Sequence, residues 1–198
     1  DEARQIGLSL RKLRGQTLGM VGFGRAGSAL APKAAGFGLR LLAHDPYVSP
    51  ETATTVRVTL TDFNTILRES DFIVVLAPLT PETRNMFNRQ AFATMKPTAY
   101  IFNATGSGAL IDEDALYAAL RDDIIAGAGL DTTEPMPVRP DSPLLTLSNI
   151  VWTPHIGFQS RDSLPAIQRR MCQNVVTRLS GQWPALLANP QVRQRVSP

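Results

Sequence analysis

Three glycines, one aspartate and one histidine are the residues of this chain whose spacing could do chemistry. Gly22, Gly24 and Gly27 stand in a G-x-G-x-x-G pattern at the end of the apolar run "TLGMVGF" (17–23). At a strand-to-helix turn, that pattern permits a tight turn, close approach of the backbone to a pyrophosphate, and tight packing of helix on strand. The first helical residues, here Arg25 and Ala26, then supply N–H donors and a positive dipole. Asp45 closes the next apolar run, "LRLLAHD" (39–45), where a carboxylate can accept hydrogen bonds from an adenosine ribose and repel a 2′-phosphate. Pro46 and Tyr47 follow it and supply no arginine clamp, so the pattern favours NAD over NADP. The bland alternative is a glycine turn beside a strand-end cap. The uncharged stretch "IFNATGSGAL" (101–110) has the make-up of a ligand-holding loop, and His155 in "TPHIG" lies just beyond the last apolar run. A histidine there would sit at the carboxyl edge of a sheet, where an imidazole can serve as acid or base.

The elements needed to position these residues can be read from periodicity. Apolar, β-rich runs recur at 17–23, 39–45, 72–78, 99–104, 124–131 and 150–155, with helix-like segments at 26–36, 62–69, 88–95 and 113–121 between most of them. Runs apolar on both faces and separated by helices imply a doubly wound parallel α/β sheet, a Rossmann-type domain. Asp112 is the expected N-cap of the 113–121 helix, with Leu116 and Leu120 as its inward stripe. A longer closing helix is expected over 160–180, ended by Gly181 and Pro184, with Cys172 as a small buried hydrophobe within it. "EPMPVRPDSP" (134–143) reads as a stiff surface loop. The domain is expected to span 1–180, with 181–198 as a tail.

Bulk properties exclude several classes. Lys and Arg total 20 against 17 for Asp and Glu, and the cations are scattered along the chain, so a nucleic-acid interface is not expected. One cysteine allows no internal disulfide. With no membrane-length apolar window and a polar start, "DEARQIG", the expectation is a soluble cytoplasmic protein without a membrane partner. No metal site is expected.

The segments "LRGQTLGMVGFGRAGSALA", "HDPY", "DFIVVLAPLTPETRNMFN", "MKPTAYIFNATGSGALIDEDALYAAL", "AGAGLDTTEPMP", "DSPLLTLSNIVWTPHIG" and "MCQNVV" cover nearly all of 13–180. Together they resemble the NAD-binding domain of the D-isomer-specific 2-hydroxyacid dehydrogenases. The resemblance implies NAD as cofactor, a 2-hydroxy or 2-keto acid as substrate, a homodimer, and a substrate domain that is largely absent from this chain. It places Pro78 and Thr83 along the cofactor cleft, Ala104, Thr105 and Gly106 toward the nicotinamide ribose, and Asp131 near the carboxamide.

Such enzymes use arginine to hold the substrate carboxylate, histidine to transfer the proton, and glutamate to orient that histidine. The resemblance assigns the histidine to His155. Counting back from Asp112 places the arginine position at Ser107, or at Gly106 if the register is taken from Asn103. Counting on from Asp131 places the glutamate position at Met136, with Glu134 two residues away and able to substitute only if the loop is rebuilt. Two of the three catalytic residues are therefore replaced. The leading reading is an oxidoreductase with an unusual substrate. A non-catalytic NAD-binding module and an altered chemistry, such as elimination, are the alternatives.

Overall fold

The computed structural model describes residues 11–195, which divide between His155 and Ile156 into two compact units. The first holds β1 (Thr17–Val21), α1 (Arg25–Gly36), β2 (Arg40–His44), α2 (Pro50–Thr54), β3 (Thr59–Leu60), α3 (Phe63–Glu69), β4 (Phe72–Val75), α4 (Arg89–Thr94), β5 (Tyr100–Asn103), α5 (Glu113–Arg121), β6 (Gly127–Leu130) and β7 (Ile150–Trp152). The strands form one seven-stranded parallel sheet in the order β3-β2-β1-β4-β5-β6-β7. The chain winds outward from β1 to β3, then returns to place β4 on the other side of β1. A crevice opens at such a reversal, outside the carboxyl ends of β1 and β4.

Alternation along the strands sends side chains to two cores. Ile73, Val75, Ile101, Leu116 and Leu120 share one core, while Leu18, Met20, Ala31, Ala34 and Leu41 share the other. On α1 the buried residues are Gly27, Ala31 and Ala34, small enough to let the helix lie close to the sheet. On α5 they are Ala115, Leu116, Ala119 and Leu120, a stripe at helical spacing, and Asp112 caps the helix by accepting from the Ala115 N–H at 3.0 Å. Truncating the fully buried Leu116 to alanine would cost about 2–5 kcal/mol.

At the opposite, amino edge of the sheet the half-buried Asp71 fastens β1. Its carboxylate accepts from the Thr17 N–H at 2.8 Å and from Lys96 Nζ at 2.9 Å. Burial on its own pushes this carboxyl up, but those two bonds and the lysine charge outweigh it and hold the group below the usual carboxylate range.

The expected strands and helices are all present, with strand ends trimmed where the backbone turns into loops. Two elements carry too few residues to leave a periodic pattern: β3 is a two-residue edge strand, and α2 is a single turn started by Ser49 and Pro50.

The second unit, from Ile156 onward, holds α6 (Ser163–Leu179) and a 3₁₀ turn at Pro190–Gln194. The structure thus groups α6 with the tail, whereas the sequence reading drew its boundary at 180. Cys172 is exposed, contrary to the expected burial, because no residue of α6 is buried. Leu164, Ile167, Met171 and Val175 do form an apolar stripe, but each of them is exposed. Among the described residues, no helix is long and apolar enough to cross a membrane.

Candidate dinucleotide and active site

All the singled-out residues of the first unit lie beyond the carboxyl ends of their strands. At the turn after β1 the three glycines meet three different surroundings. Gly22 adopts φ +94°, and a Cβ there would lie 2.5 Å from the Ala77 amide nitrogen, so only glycine lets this turn pack against the chain leaving β4. Gly27 is buried, and a Cβ on it would press to 3.1 Å on the Gly22 carbonyl oxygen and to 2.9 Å on the Phe23 ring. Gly24 faces open space, with nothing within 4 Å of an added Cβ, and Arg25 and Ala26 are exposed beside it. Gly24 is the N-cap position of α1, and no side chain caps that helix. The first N–H groups of a helix have no partner within it, so this turn presents donors and a positive dipole outward, as a pyrophosphate requires.

Asp45 adjoins that turn. Its carboxylate accepts from the Phe23 N–H at 2.8 Å through one oxygen and from the Tyr47 N–H at 2.9 Å through the other. It is therefore a cap for both the glycine turn and its own strand end, and each oxygen keeps a second lone pair for a ribose hydroxyl. A cavity of about 210 Å³ opens here, lined on one side by Asp45 and Tyr47 and on the other by Pro78, Thr80 and Thr83. Thr83 is engaged within its own loop: its hydroxyl lies 2.7 Å from the Pro78 carbonyl oxygen and accepts from the Thr80 N–H at 2.8 Å.

The loop after β5 is built around the buried Asn103. Its amide oxygen accepts from the Thr105 N–H at 3.1 Å and lies 2.8 Å from the Thr105 hydroxyl. Its amide nitrogen donates to the Ser107 carbonyl at 3.0 Å and to the Thr132 hydroxyl at 3.3 Å. The Thr132 hydroxyl in turn donates to the Thr105 carbonyl at 3.2 Å. Next comes Gly108, where a Cβ would fall 2.1 Å from the Thr133 carbonyl carbon, so the backbones of the two loops are in direct contact. The Glu113 carboxylate adds a further tie by accepting from the Glu134 N–H at 2.8 Å. Burial, the dominant influence, raises the Glu113 carboxyl above its ordinary value even though this bond acts the other way. Ala104 and Gly106 remain exposed on the outer side of the loop.

The carboxyl ends of β6 and β7 complete the edge. The Asp131 carboxylate accepts from the Thr153 hydroxyl at 2.5 Å, and the Asp131 carbonyl accepts from the His155 N–H at 2.9 Å. His155 itself is in the left-handed region at φ +54°, a conformation held by that bond and a second one from its N–H to the Thr153 carbonyl at 3.0 Å. Beside it a cavity of about 390 Å³ is lined by Asp131 and Thr153 and by the apolar Met136, Val138, Trp152 and Pro154. Met136 thus gives this cavity a thioether wall. Glu134 does not line it, and its backbone is pinned by Glu113 and Gly108. The Ser107 hydroxyl accepts from the Ala109 N–H at 3.2 Å, a local bond that carries no charge into the cleft.

Sequence reasoning singled out neither Gly108 nor the carboxylate of Glu113. Both are explained by residues 133–134, more than a strand and a helix away in sequence, so no local pattern marks them. Asn103 served there only to set a register, whereas in the fold it organises the loop.

Residues 2–157 match the family model described as "D-isomer specific 2-hydroxyacid dehydrogenase, NAD binding domain". A glyoxylate reductase of Thermococcus litoralis is 39% identical over 180 residues, covering 91% of this chain and 54% of that protein. The D-isomer specific 2-hydroxyacid dehydrogenase from Lactobacillus delbrueckii ssp. bulgaricus, in its NAD-complexed form, superposes with a TM-score of 0.82 at 32% identity, over 92% of this chain and 59% of that one. An acyclic imino acid reductase in complex with NADPH and D-Arg superposes with a TM-score of 0.80 at 26% identity, over 94% and 61% of the two chains. The chain spans about half the length of the curated relative it matches. On its sequence, its sheet order and the extent of these matches, it belongs to the D-isomer specific 2-hydroxyacid dehydrogenase family and represents that family's NAD-binding domain.

Proposed function

We propose that this chain is the cofactor-holding part of an NAD-dependent oxidoreductase that transfers hydride between NAD(H) and a 2-hydroxy or 2-keto acid. The observation that carries the proposal is the uncapped start of α1 at the β1/β4 crevice, with Gly24 facing open space and Asp45 fastened beside it. In this reading the N–H groups of Arg25, Ala26 and Gly27 hold the pyrophosphate, and Asp45 accepts from the adenosine ribose and disfavours a 2′-phosphate. The loop of Ala104, Thr105 and Gly106, exposed at Ala104 and Gly106, faces the nicotinamide ribose, and Asp131 receives the carboxamide. When bound, the nicotinamide supplies or accepts the hydride. His155 delivers the proton to the substrate oxygen on reduction and removes it on oxidation, while Pro78 and Thr83 shape the cleft wall. Residues 181–198 are read as leading toward a further, substrate-side part. A homodimeric, cytoplasmic protein goes with this family assignment.

A second reading is favoured by Ser107 and Met136. Neither can supply the cation or the carboxylate that this chemistry uses, so the cleft could hold NAD(H) without turning substrate over. Both readings require cofactor binding. Titration of the purified chain with NADH by calorimetry should give saturable binding. Gly24→Ala, whose methyl enters the space for the phosphates, should weaken it by roughly tenfold or more while changing stability by less than about 1 kcal/mol. Absence of NADH binding by the wild-type chain would refute both readings.

A further inference from the structure

The adenosine-side cavity contains a carboxylate that the family resemblance does not assign. Glu82 lines it together with Asp45, and the lining includes neither lysine nor arginine. The two acids come from opposite sides of β1: Asp45 follows β2, and Glu82 lies in the loop after β4, the strands that flank β1 in the sheet. That loop is pinned by the Thr83 hydroxyl, which accepts from the Thr80 N–H and lies 2.7 Å from the Pro78 carbonyl oxygen, so the segment carrying Glu82 is tied back on itself.

The two charges are not equally available to repel an anion. Both Asp45 oxygens already accept backbone N–H groups, and one of those donors, Phe23, immediately precedes the turn that starts α1. The positive end of that helix offsets part of the Asp45 charge. Glu82 is exposed and lies in the loop after β4 rather than at the start of a helix; a bond from the Thr80 side chain holds its carboxyl below the usual range, so it is ionised at neutral pH. A 2′-phosphate would bring close to two further negative charges into this space.

Resting on the dinucleotide reading above, we propose that Glu82 is a second specificity-determining residue of this cavity, discriminating against 2′-phosphorylated nucleotides by charge alone. Asp45 selects by offering a hydrogen-bond acceptor to the ribose. Glu82 selects by field, without contacting a nucleotide that lacks the phosphate.

The test is competitive binding of NADH and NADPH to the purified chain at low and high salt. Glu82→Gln should leave NADH affinity within about twofold and tighten NADPH by about three- to tenfold at low ionic strength, as expected for charges several ångströms apart in a largely aqueous medium. The gain should shrink in high salt, since the Debye length falls to about 3 Å at 1 M. Glu82→Arg should enlarge it. Unchanged NADPH affinity in both variants, with NADH still bound, overturns the role of Glu82 and leaves the dinucleotide site standing. Failure of the wild type to bind NADH overturns both together.

Discussion

The two ends of the proposed cleft differ in how fully they match the chemistry that the family resemblance implies. At the end proposed for adenosine, Gly22 stands at positive φ, α1 starts without a side-chain cap, and the Asp45 carboxylate is fastened by backbone N–H groups. At the end proposed for nicotinamide the loops are tied together through Asn103, Gly108 and Glu113, yet the positions that the family resemblance assigns to arginine and glutamate hold Ser107 and Met136. The contrast teaches that order and reactivity are separable. Backbone contacts and hydrogen bonds to backbone groups hold the loops, and none of them depends on a charge at position 107 or 136.

The largest expected effect tests whether the nicotinamide end is a depleted version of the family's machinery. In the full-length gene product, Ser107→Arg combined with Met136→Glu should raise kcat/KM for glyoxylate on the order of 100-fold above the better single variant, because both charges act on one transition state. Adding His155→Ala should remove the gain. Steady-state assays with NADH decide it. A double variant as slow as the wild type, with normal NADH binding, would mean that this end has been reshaped for another ligand.

A smaller effect separates scaffold from ligand space within one loop. Gly108→Ala places a methyl on the Thr133 backbone and should lower stability by about 3 kcal/mol in urea unfolding. Gly106→Ala, two residues away with nothing within 4 Å, should stay within about 0.5 kcal/mol. Equal losses at both positions would show that contact between the two loops does not hold this end together.

The smallest effect concerns Glu113. Burial lifts its folded-state carboxyl above the unfolded value, so the ionised group costs stability at neutral pH. That cost fades as pH falls through the folded pKa. Glu113→Gln keeps an acceptor for the Glu134 N–H and should match or exceed wild-type stability at about pH 7 by less than about 1 kcal/mol, because solvent screening keeps the difference small. The advantage should vanish on acidification. A clear loss of stability at neutral pH would instead mean that the Glu113 charge strengthens the tie to Glu134.

What could be read in advance follows the range of the forces involved. The sheet and its main helices announce themselves through periodic apolar residues, and Asp112 through its place before a helical stripe. The glycine turn and Asp45 are local patterns in one βαβ unit. Gly108, Glu113 and Asn103 owe their roles to partners in other loops, and Glu82 to a cavity shared with a strand on the far side of β1. Cys172 was misread because helical periodicity reports which face is apolar and says nothing of whether another surface meets it.

The bond from the Phe23 N–H to Asp45 has a kinetic consequence. A ribose acceptor that swung freely would have to be immobilised in each binding event, either as a separate relaxation after encounter or as lost rotamer freedom. In the proposed site the acceptor is fastened to the same turn that would receive the pyrophosphate, so the two parts of the nucleotide would meet groups already tied to each other. Association of NADH should then follow a single exponential whose rate rises linearly with concentration, with no slower phase assignable to the adenosine half.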